Sequence, residues 1–178
     1  MRKDARANLD RIFAAARAAF AQGNSAVTME EIARAAGVGI GTLYRRFPSR
    51  AALVEALYGD AIEQIGADAT TLADHPDPWE AFARWCAAYV SLLATKRTML
   101  AELTPLFDAR PEWLESQRRR ARATLGGFLS RAQAAGLART DAEAADVIAL
   151  LNTTMHAGPA ADRMLAIILD GLRAKEPA

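Results

Sequence analysis

Residues 28–47 read TMEEIARAAGVGIGTLYRRF, a pattern that predicts two short helices joined by a tight turn. Thr28 and Glu31 have the spacing of a capping box, which predicts a first helix from Met29 to about Ala36. Gly37 ends this helix because glycine can adopt the left-handed conformation that the turn needs. The second helix is predicted from about Ile40 to Phe47, with Pro48 closing it.

Small and apolar residues occupy the positions that would pack between these two helices. Ala33 is small where the second helix must approach the first, and Val38 and Leu43 can fill the space beneath both helices. The spacing is typical of a helix-turn-helix, although ordinary helical hairpins share it.

The outward face of the second helix favours DNA over solvent as its partner. If Leu43 and Phe47 point inward, the opposite face of this helix and the residue just before the helix are free to make contacts. The residues there are Gly39, Ile40, Gly41, Thr42, Tyr44, Arg45 and Arg46. Two glycines lower helix propensity, but they allow the close approach that a DNA groove requires.

These residue types match the groups that DNA presents. Thr42 and Tyr44 can reach phosphate oxygens or base edges. Ile40 suits a thymine methyl group, and Arg46 suits a guanine. Arg50, in the first turn of the next helix, is unfavourable for that helix dipole but well placed for a phosphate.

Apolar residues at helical spacing predict further helices on both sides of this motif. One covers Leu9–Phe20 and is expected to end at Gly23-Asn24-Ser25. Another, capped by Ser49, covers about 49–73. Residues 74–78, with the sequence DHPDP, are the clearest break in the chain and a candidate domain boundary.

The rest of the chain is also predicted to be helical. The segments are about 78–95, about 97–107, 111–135, 141–157 and a last helix after Gly158-Pro159. Asp77 caps the first of them, and Thr140 with Glu143 forms a second capping box that opens the helix at Asp141. With about nine helices and no alternating strand pattern, the fold class is all-α.

The charge distribution agrees with a polyanion partner at one end. The chain carries a net charge of only +1, but residues 1–50 hold nine Lys or Arg against four Asp or Glu. The remainder is therefore acidic. Ordinary surface charge can also be divided in this way, so the asymmetry supports nucleic-acid binding without requiring it.

Cysteine content and hydropathy point to the cytoplasm. Cys86 is the only cysteine, which excludes an intrachain disulfide and a cysteine metal cluster. Arg11 and Arg17 interrupt the N-terminal segment, unlike the apolar core of a signal peptide. No stretch of about twenty uncharged apolar residues could span a membrane. We therefore expect a cytoplasmic protein without a metal or cofactor.

Residues 9–58 resemble the tetracycline-repressor (TetR) family. The matching positions are Phe20, Gly23, Thr28, Ile32, Ala33, Ala36, Gly37, Val38, Gly41, Thr42, Leu43, Tyr44, Phe47 and Arg50. The resemblance implies that residues 1–48 bind DNA and that residues 49–178 form a helical domain for ligand binding and dimerisation. The helix at about 49–73 would link the two domains.

The family resemblance also implies a mechanism and a set of DNA contacts. A homodimer would bind a pseudo-palindromic operator as a repressor, and a small-molecule effector would release it. The implied phosphate contacts are Thr28, Thr42, Tyr44 and Arg50, and the implied base contacts are Ile40, Gly41 and Arg46. Many family members have His in place of Arg46, so the operator sequence stays open.

Aromatic and apolar residues of the C-terminal part could line a largely apolar effector pocket. The candidates are Phe82, Trp85, Cys86, Tyr89, Met99, Leu103, Phe107, Phe128, Asn152, Met155 and His156. Asn152 and His156 lie four residues apart, hence on one helix face, and with Tyr89 they are the predicted polar contacts. The same pattern also fits a packed core.

Two further features of the C-terminal part have alternative interpretations. Arg118, Arg119, Arg120 and Arg122 suggest an anionic ligand, but neighbouring helix residues point in different directions. At most two of them are expected to face one pocket, and a solvated face is the prediction. The last two helices, about 141–174, carry apolar stripes that suit a dimer interface, or that pack only within the monomer.

Other classes of function fit the sequence less well. There is no glycine-rich phosphate loop, serine elbow or paired-carboxylate motif, which argues against an enzyme. A helical protein–protein adaptor that keeps the helix-turn-helix as a scaffold is the alternative. The adaptor predicts no salt-dependent DNA binding, whereas a regulator predicts a steep loss of affinity with salt.

Overall fold

The computed structural model describes residues 2–21 and 27–174. Within them the chain forms nine α-helices and two short 3-10 turns, which confirms the predicted all-α class. The helices are α1 (Arg2–Ala21), α2 (Met29–Ala36), α3 (Ile40–Arg46), α4 (Arg50–Leu72), α5 (Pro78–Thr98), α6 (Leu100–Ala109), α7 (Pro111–Ala134), α8 (Ala144–Thr153) and α9 (Ala161–Leu172), and the turns are Thr154–His156 and Gly158–Ala160. The predicted end of the first helix at Gly23-Asn24-Ser25 lies outside the described residues. None of the described helices is long and apolar enough to cross a membrane.

Side-chain caps begin α2, α4 and α5 as the sequence predicts. The Glu31 N–H donates to Thr28 Oγ1 at 3.2 Å, and the Thr28 N–H donates to Glu31 Oε2 at 2.8 Å. These hydrogen bonds to Thr28 hold the pKa of Glu31 below its usual value. Ser49 and Asp77 accept hydrogen bonds from the first turns of α4 and α5. Local hydrogen bonding thus fixes where these helices start.

The predicted capping box at Thr140 is wrong. Helix α8 begins at Ala144, and its N-cap residue, Glu143, makes no side-chain cap. Instead, Arg139 holds Asp141 through two hydrogen bonds of 2.7 Å, and Gln133 of α7 donates to the carbonyls of Arg139 and Ala142. These contacts fix the segment before α8 as a loop. At its other end α8 also differs from the prediction, because it ends at Thr153 rather than near Ala157.

The buried apolar residues form two clusters. The first joins α1, α2 and α3 to the first half of α4 and to α6, with Ile32, Leu43 and Leu57 fully buried at its centre. The second lies in the C-terminal part, around Phe82 and Trp85 of α5, and includes residues of α7, α8 and α9. Because the first half of α4 belongs to the first cluster and its second half packs against the second, α4 connects the two clusters.

Candidate DNA-binding surface and effector cavity

The packing of α2 against α3 is that of a helix-turn-helix. Gly37 ends α2 with φ +64°, in the left-handed region that the turn requires. Leu43 and Phe47 are buried, as are Ala33 and Ala36 of α2, and Val38 packs against this core. The inward and outward faces of α3 are therefore those that the sequence predicts.

The outward face of α3 brings together most of the predicted DNA contacts. Gly39, Ile40, Gly41, Tyr44, Arg45 and Arg46 are exposed, Thr42 is half-buried, and Thr28 is exposed at the start of α2. The Tyr44 hydroxyl donates a hydrogen bond to Glu30 Oε1 at 3.4 Å, and the tyrosine side chain is nevertheless 42% exposed. Arg45 and Arg46 make no ion pair with any residue that the structure describes.

Gly41 has no structural reason to be glycine within this chain. Its φ is not positive, and a Cβ atom added to it would meet nothing within 4 Å. Glycine inside a helix costs up to about 1 kcal/mol relative to alanine. The missing side chain leaves the surface of α3 open for a close external approach.

Arg50 is not part of the outward face of α3. Its Nε and Nη2 donate to Glu102 Oε1 of α6 at 2.9 and 2.8 Å, and its Nη1 donates to the Val27 carbonyl. The guanidinium also lies over the Phe20 ring, 4.6 Å from the ring centroid. In this conformation Arg50 joins α4 to α1, to the segment before α2 and to α6, so its predicted phosphate contact would require a rearrangement.

A cavity of about 580 Å³ lies between α4, α5, α7 and the end of α8 with its following turn. This volume is within the range of small-molecule sites. The lining residues are Tyr58, Ile62, Ile65, Gly66, Ala69, Thr70, Trp85, Tyr89, Leu92, Leu93, Lys96, Leu114, Gln117, Arg118, Arg120, Ala121, Arg122, Thr124, Ile148, Asn152, Met155 and His156.

The cavity contains some of the predicted pocket residues and not others. Those that line it are Trp85, Tyr89, Asn152, Met155 and His156. The other six do not. Phe82, Cys86 and Phe128 are buried in the second core, and Met99, Leu103 and Phe107 are buried in the first core beside α4.

The residues that α4 contributes to the cavity wall are not among the pocket residues predicted from the sequence. Its apolar stripe is visible as helical periodicity, and Tyr58, Ile62 and Ile65 belong to it. Periodicity shows that a helix face is buried, but it does not show whether that face meets a packed core or a space. The neighbouring positions of α5 and α7 settle that question.

Aromatic side chains shape one wall of the cavity. The rings of Trp85 and Tyr89 stack with centroids 5.4 Å apart, and the Tyr89 hydroxyl donates to Asn152 Oδ1 at 3.1 Å. Burial raises the pKa of Tyr89, and burial raises that of Tyr58 to about 12, so both hydroxyls keep their protons at neutral pH. The Trp85 Nε1–H is buried without a hydrogen-bond partner among the described residues.

All four arginines of this stretch of α7 are exposed, as the predicted solvated face requires, but the expectation that at most two of them face one pocket is wrong. Arg118, Arg120 and Arg122 all border the cavity, and only Arg119 does not. The three are exposed, so they stand at the mouth rather than inside. Long side chains reach this rim from different directions, which the argument from helix geometry did not allow.

Two family models match the sequence. Residues 12–57 match the model for bacterial regulatory proteins of the tetR family, and residues 77–174 match the model for the C-terminal domain of SbtR-like transcriptional regulators. The chain belongs to the TetR family. Proteins of this family are DNA-binding transcription factors and not enzymes, so the chain is a transcriptional regulator.

Solved TetR-family structures match along nearly the whole chain. A regulator from Mycobacterium vanbaalenii is 36% identical, with 97% of this chain and 98% of that chain covered and a TM-score of 0.74. One from Streptomyces coelicolor is 32% identical, with 94% and 99% covered and a TM-score of 0.78. The TetR-like regulator LfrR from Mycobacterium smegmatis, solved in complex with proflavine, shares the fold at 20% identity, with 94% and 95% covered and a TM-score of 0.67. No curated protein matches the sequence.

Proposed function

We propose that the protein is a ligand-responsive repressor that binds a pseudo-palindromic operator as a homodimer and leaves it when an effector enters the cavity. The observation that carries the proposal is the outward face of α3, where Gly41, which neither backbone geometry nor internal packing requires, lies beside the exposed side chains of Tyr44 and Arg46. The absent side chain of Gly41 makes sense where α3 enters a major groove. A regulator of this kind would act in the cytoplasm, where its operator DNA would lie.

The exposed residues of α3 divide into base and phosphate contacts. Ile40, Gly41 and Arg46 would face base edges, since they lie on the exposed surface of the helix. Thr28, Thr42 and Tyr44 would bind phosphates and set the position of the helix on the duplex. Gly39 and Arg45 complete the surface, with Gly39 allowing close approach and Arg45 adding positive charge.

The dimer would form through α8 and α9. The stripe residues Leu165 and Leu172 are buried in their own chain, so they do not serve a partner. Leu150 of α8 and Ile167 of α9, however, are 46% and 65% exposed. Two copies of this helix pair can bury these side chains in a four-helix interface. The two α3 helices would then contact half-sites about one helical turn, or a multiple of it, apart.

Release would pass through residues that belong to both the cavity and the first core. Tyr58 and Leu92 line the cavity, and both pack against the cluster that holds the helix-turn-helix. An effector that moves them would tilt α4 and change the spacing of the two α3 helices. The effector can do this only if it binds the released conformation more tightly than the DNA-bound one.

Sequencing of genomic fragments retained by the purified protein tests the DNA-binding part. The wild type is expected to enrich one pseudo-palindromic site, and the Tyr44→Ala, Arg46→Ala double variant is expected to lose it. Arg84→Ala is the matched control, because Arg84 is an exposed arginine on α5. Absence of enrichment at low salt would contradict the proposal and favour the adaptor.

Gly41→Ala separates DNA contact from folding. The alanine should leave the free energy of unfolding unchanged or raise it by up to about 1 kcal/mol, because it improves helix propensity. Operator affinity should fall about tenfold or more, because the new methyl group lies where the groove approaches. Operator affinity is measured by gel shift or by fluorescence anisotropy. An unchanged affinity for Gly41→Ala would contradict a close approach of α3 to the DNA groove.

A further inference from the structure

The cavity is bordered by positive charge alone. Lys96, Arg118, Arg120 and Arg122 are among its lining residues, with His156 at another wall. None of the lining residues is Asp or Glu. Such an imbalance is notable because the C-terminal part of the chain is acidic overall.

Lys96 contributes a cation that the described residues leave without a counter-ion. It is half-buried near the end of α5, and no described carboxylate forms an ion pair with it. Its ammonium group lies 5.0 Å from the centroid of the Phe107 ring. Burial, and then the positive charge of Arg118, lower the pKa of Lys96. Both cations line the same cavity, and the charge of Arg118 disfavours the protonated form of Lys96.

The arginines of α7 are also poorly neutralised. Arg118 approaches Glu115 at 3.7 Å, but both side chains are at least half exposed, so the pair is weak. Arg120 reaches from α7 to α4, where its Nη2 lies 3.5 Å from the position that a Cβ atom on Gly66 would take. A guanidinium therefore extends across the mouth of the cavity towards α4.

Neutral hydrogen-bond donors and apolar walls accompany this charge. The Tyr58 hydroxyl has no hydrogen-bond partner among the described residues. Burial raises the pKa of both Tyr58 and Tyr89, and the positive charge of Arg118 offsets part of that rise. Leu92, Leu93 and Ile148 supply apolar surface deeper in the cavity. Guanidinium and ammonium groups beside a neutral phenol form a set of donors without a competing carboxylate, which is suited to binding an organic carboxylate.

We infer that the effector is an apolar organic acid whose carboxylate binds between Lys96 and Arg118 and whose apolar body lies against Trp85, Leu93 and Ile148. This inference rests on the proposed function, because it takes the cavity as the effector site. The anion relieves the repulsion between the two cations, and the half-buried setting of Lys96 strengthens its attraction to that ammonium group. Arg120 and Arg122 raise the concentration of anions at the mouth.

Displacement of a neutral fluorescent probe measures how strongly the cavity prefers an anionic ligand to a neutral one. N-phenyl-1-naphthylamine is bound to the full-length protein and displaced by decanoate or by 1-decanol, which share a ten-carbon chain and differ in charge. For the wild type, decanoate is expected to displace the probe at a concentration about tenfold lower than 1-decanol. Lys96→Met and Arg118→Met should each reduce this preference at least threefold, and two separate variants guard against a folding defect in one.

Arg119→Met is the matched control, since Arg119 is a neighbouring arginine on α7 that does not line the cavity. It should keep the wild-type preference. Equal displacement by decanoate and 1-decanol would overturn the charge assignment while leaving the cavity as a site for neutral effectors. If the probe does not bind at all, the effector cavity and the charge assignment are both wrong, whereas operator binding is measured separately and does not depend on either.

Discussion

Replacing Arg50 by methionine distinguishes a structural role of this residue from a phosphate contact. The sequence assigns Arg50 to phosphate, but the structure engages its guanidinium with Glu102 and the Val27 carbonyl. We expect Arg50→Met to lower the free energy of unfolding and to leave the salt dependence of operator binding unchanged.

The magnitude follows from the geometry and the partial burial of the ion pair. Two Arg50 nitrogens donate to one Glu102 oxygen at 2.8 and 2.9 Å. The side chains are 25% and 22% exposed, between the fully exposed pairs that contribute about 0–1 kcal/mol and the buried charged hydrogen bonds that contribute about 1.5–3 kcal/mol. Methionine can still cover the Phe20 ring with its apolar stem. A loss of about 2 kcal/mol is therefore expected.

Urea unfolding of the wild type, Arg50→Met, Glu102→Gln and the double variant measures the interaction between the two side chains. Their coupling should be about 1 kcal/mol or more, since they share direct hydrogen bonds. Operator affinity at several salt concentrations gives the second readout. A phosphate contact at Arg50 in both protomers of the proposed dimer would make the slope of log affinity against log salt shallower by about 1.8 in the methionine variant, about 0.9 for each protomer.

Two results would refute this reasoning. A coupling below about 0.3 kcal/mol would show that the ion pair does not hold α6 to α4 in solution. A salt slope that is shallower by about 1.8 for the Arg50→Met dimer would show that the guanidinium leaves Glu102 for a phosphate when DNA binds.

Three further predictions concern folding and access. Thr28→Ala should cost about 1 kcal/mol in urea unfolding. Because the folded pKa of Glu31 lies below its usual 4.5, the contribution of this cap is full above that value and is lost as the pH falls through the folded pKa, so the cost of Thr28→Ala should shrink in acid. Gly37→Ala should cost about 1–2 kcal/mol because φ is +64°, whereas Gly59→Ala inside α4, where a Cβ meets nothing within 4 Å, should not destabilise. Burial raises the pKa of Cys86 to about 12, so Ellman's reagent should label the native thiol far more slowly than the urea-unfolded thiol, and equal rates would contradict the burial.

Local signals in the sequence were sufficient for the helix-turn-helix. The Thr28 cap, the Gly37 turn and the inward Leu43 depend on contacts within about twenty residues, so the pattern predicts them directly. The same type of signal was wrong at Thr140, where Gln133 and Arg139 supply hydrogen bonds that compete with a cap. These contacts to the backbone carbonyls and to Asp141 outweigh the local motif of Thr140 and Glu143.

The cavity was harder to predict because a space is a property of several helices at once. Trp85 and Phe82 lie three residues apart on α5, yet one borders the cavity and the other is packed in the core. Helical periodicity predicts burial for both. Whether each of the two residues meets a space or a packed neighbour depends on how far α4 lies from α7, and no single segment of the sequence contains that information.

The position of Tyr58 limits how this regulator can acquire a new effector specificity. Most of the cavity wall can be substituted without touching the core that holds the DNA-binding helices. Tyr58 cannot, because its ring packs edge-on against Phe107 and Trp113 at centroid distances of 5.5 and 6.3 Å while it also borders the cavity. Variants selected for a different effector should therefore accumulate at Ala69 and Met155, which pack against the second core and not the first, and should spare Tyr58. The wall around Tyr58 should then stay the least variable part of the cavity as the protein diverges.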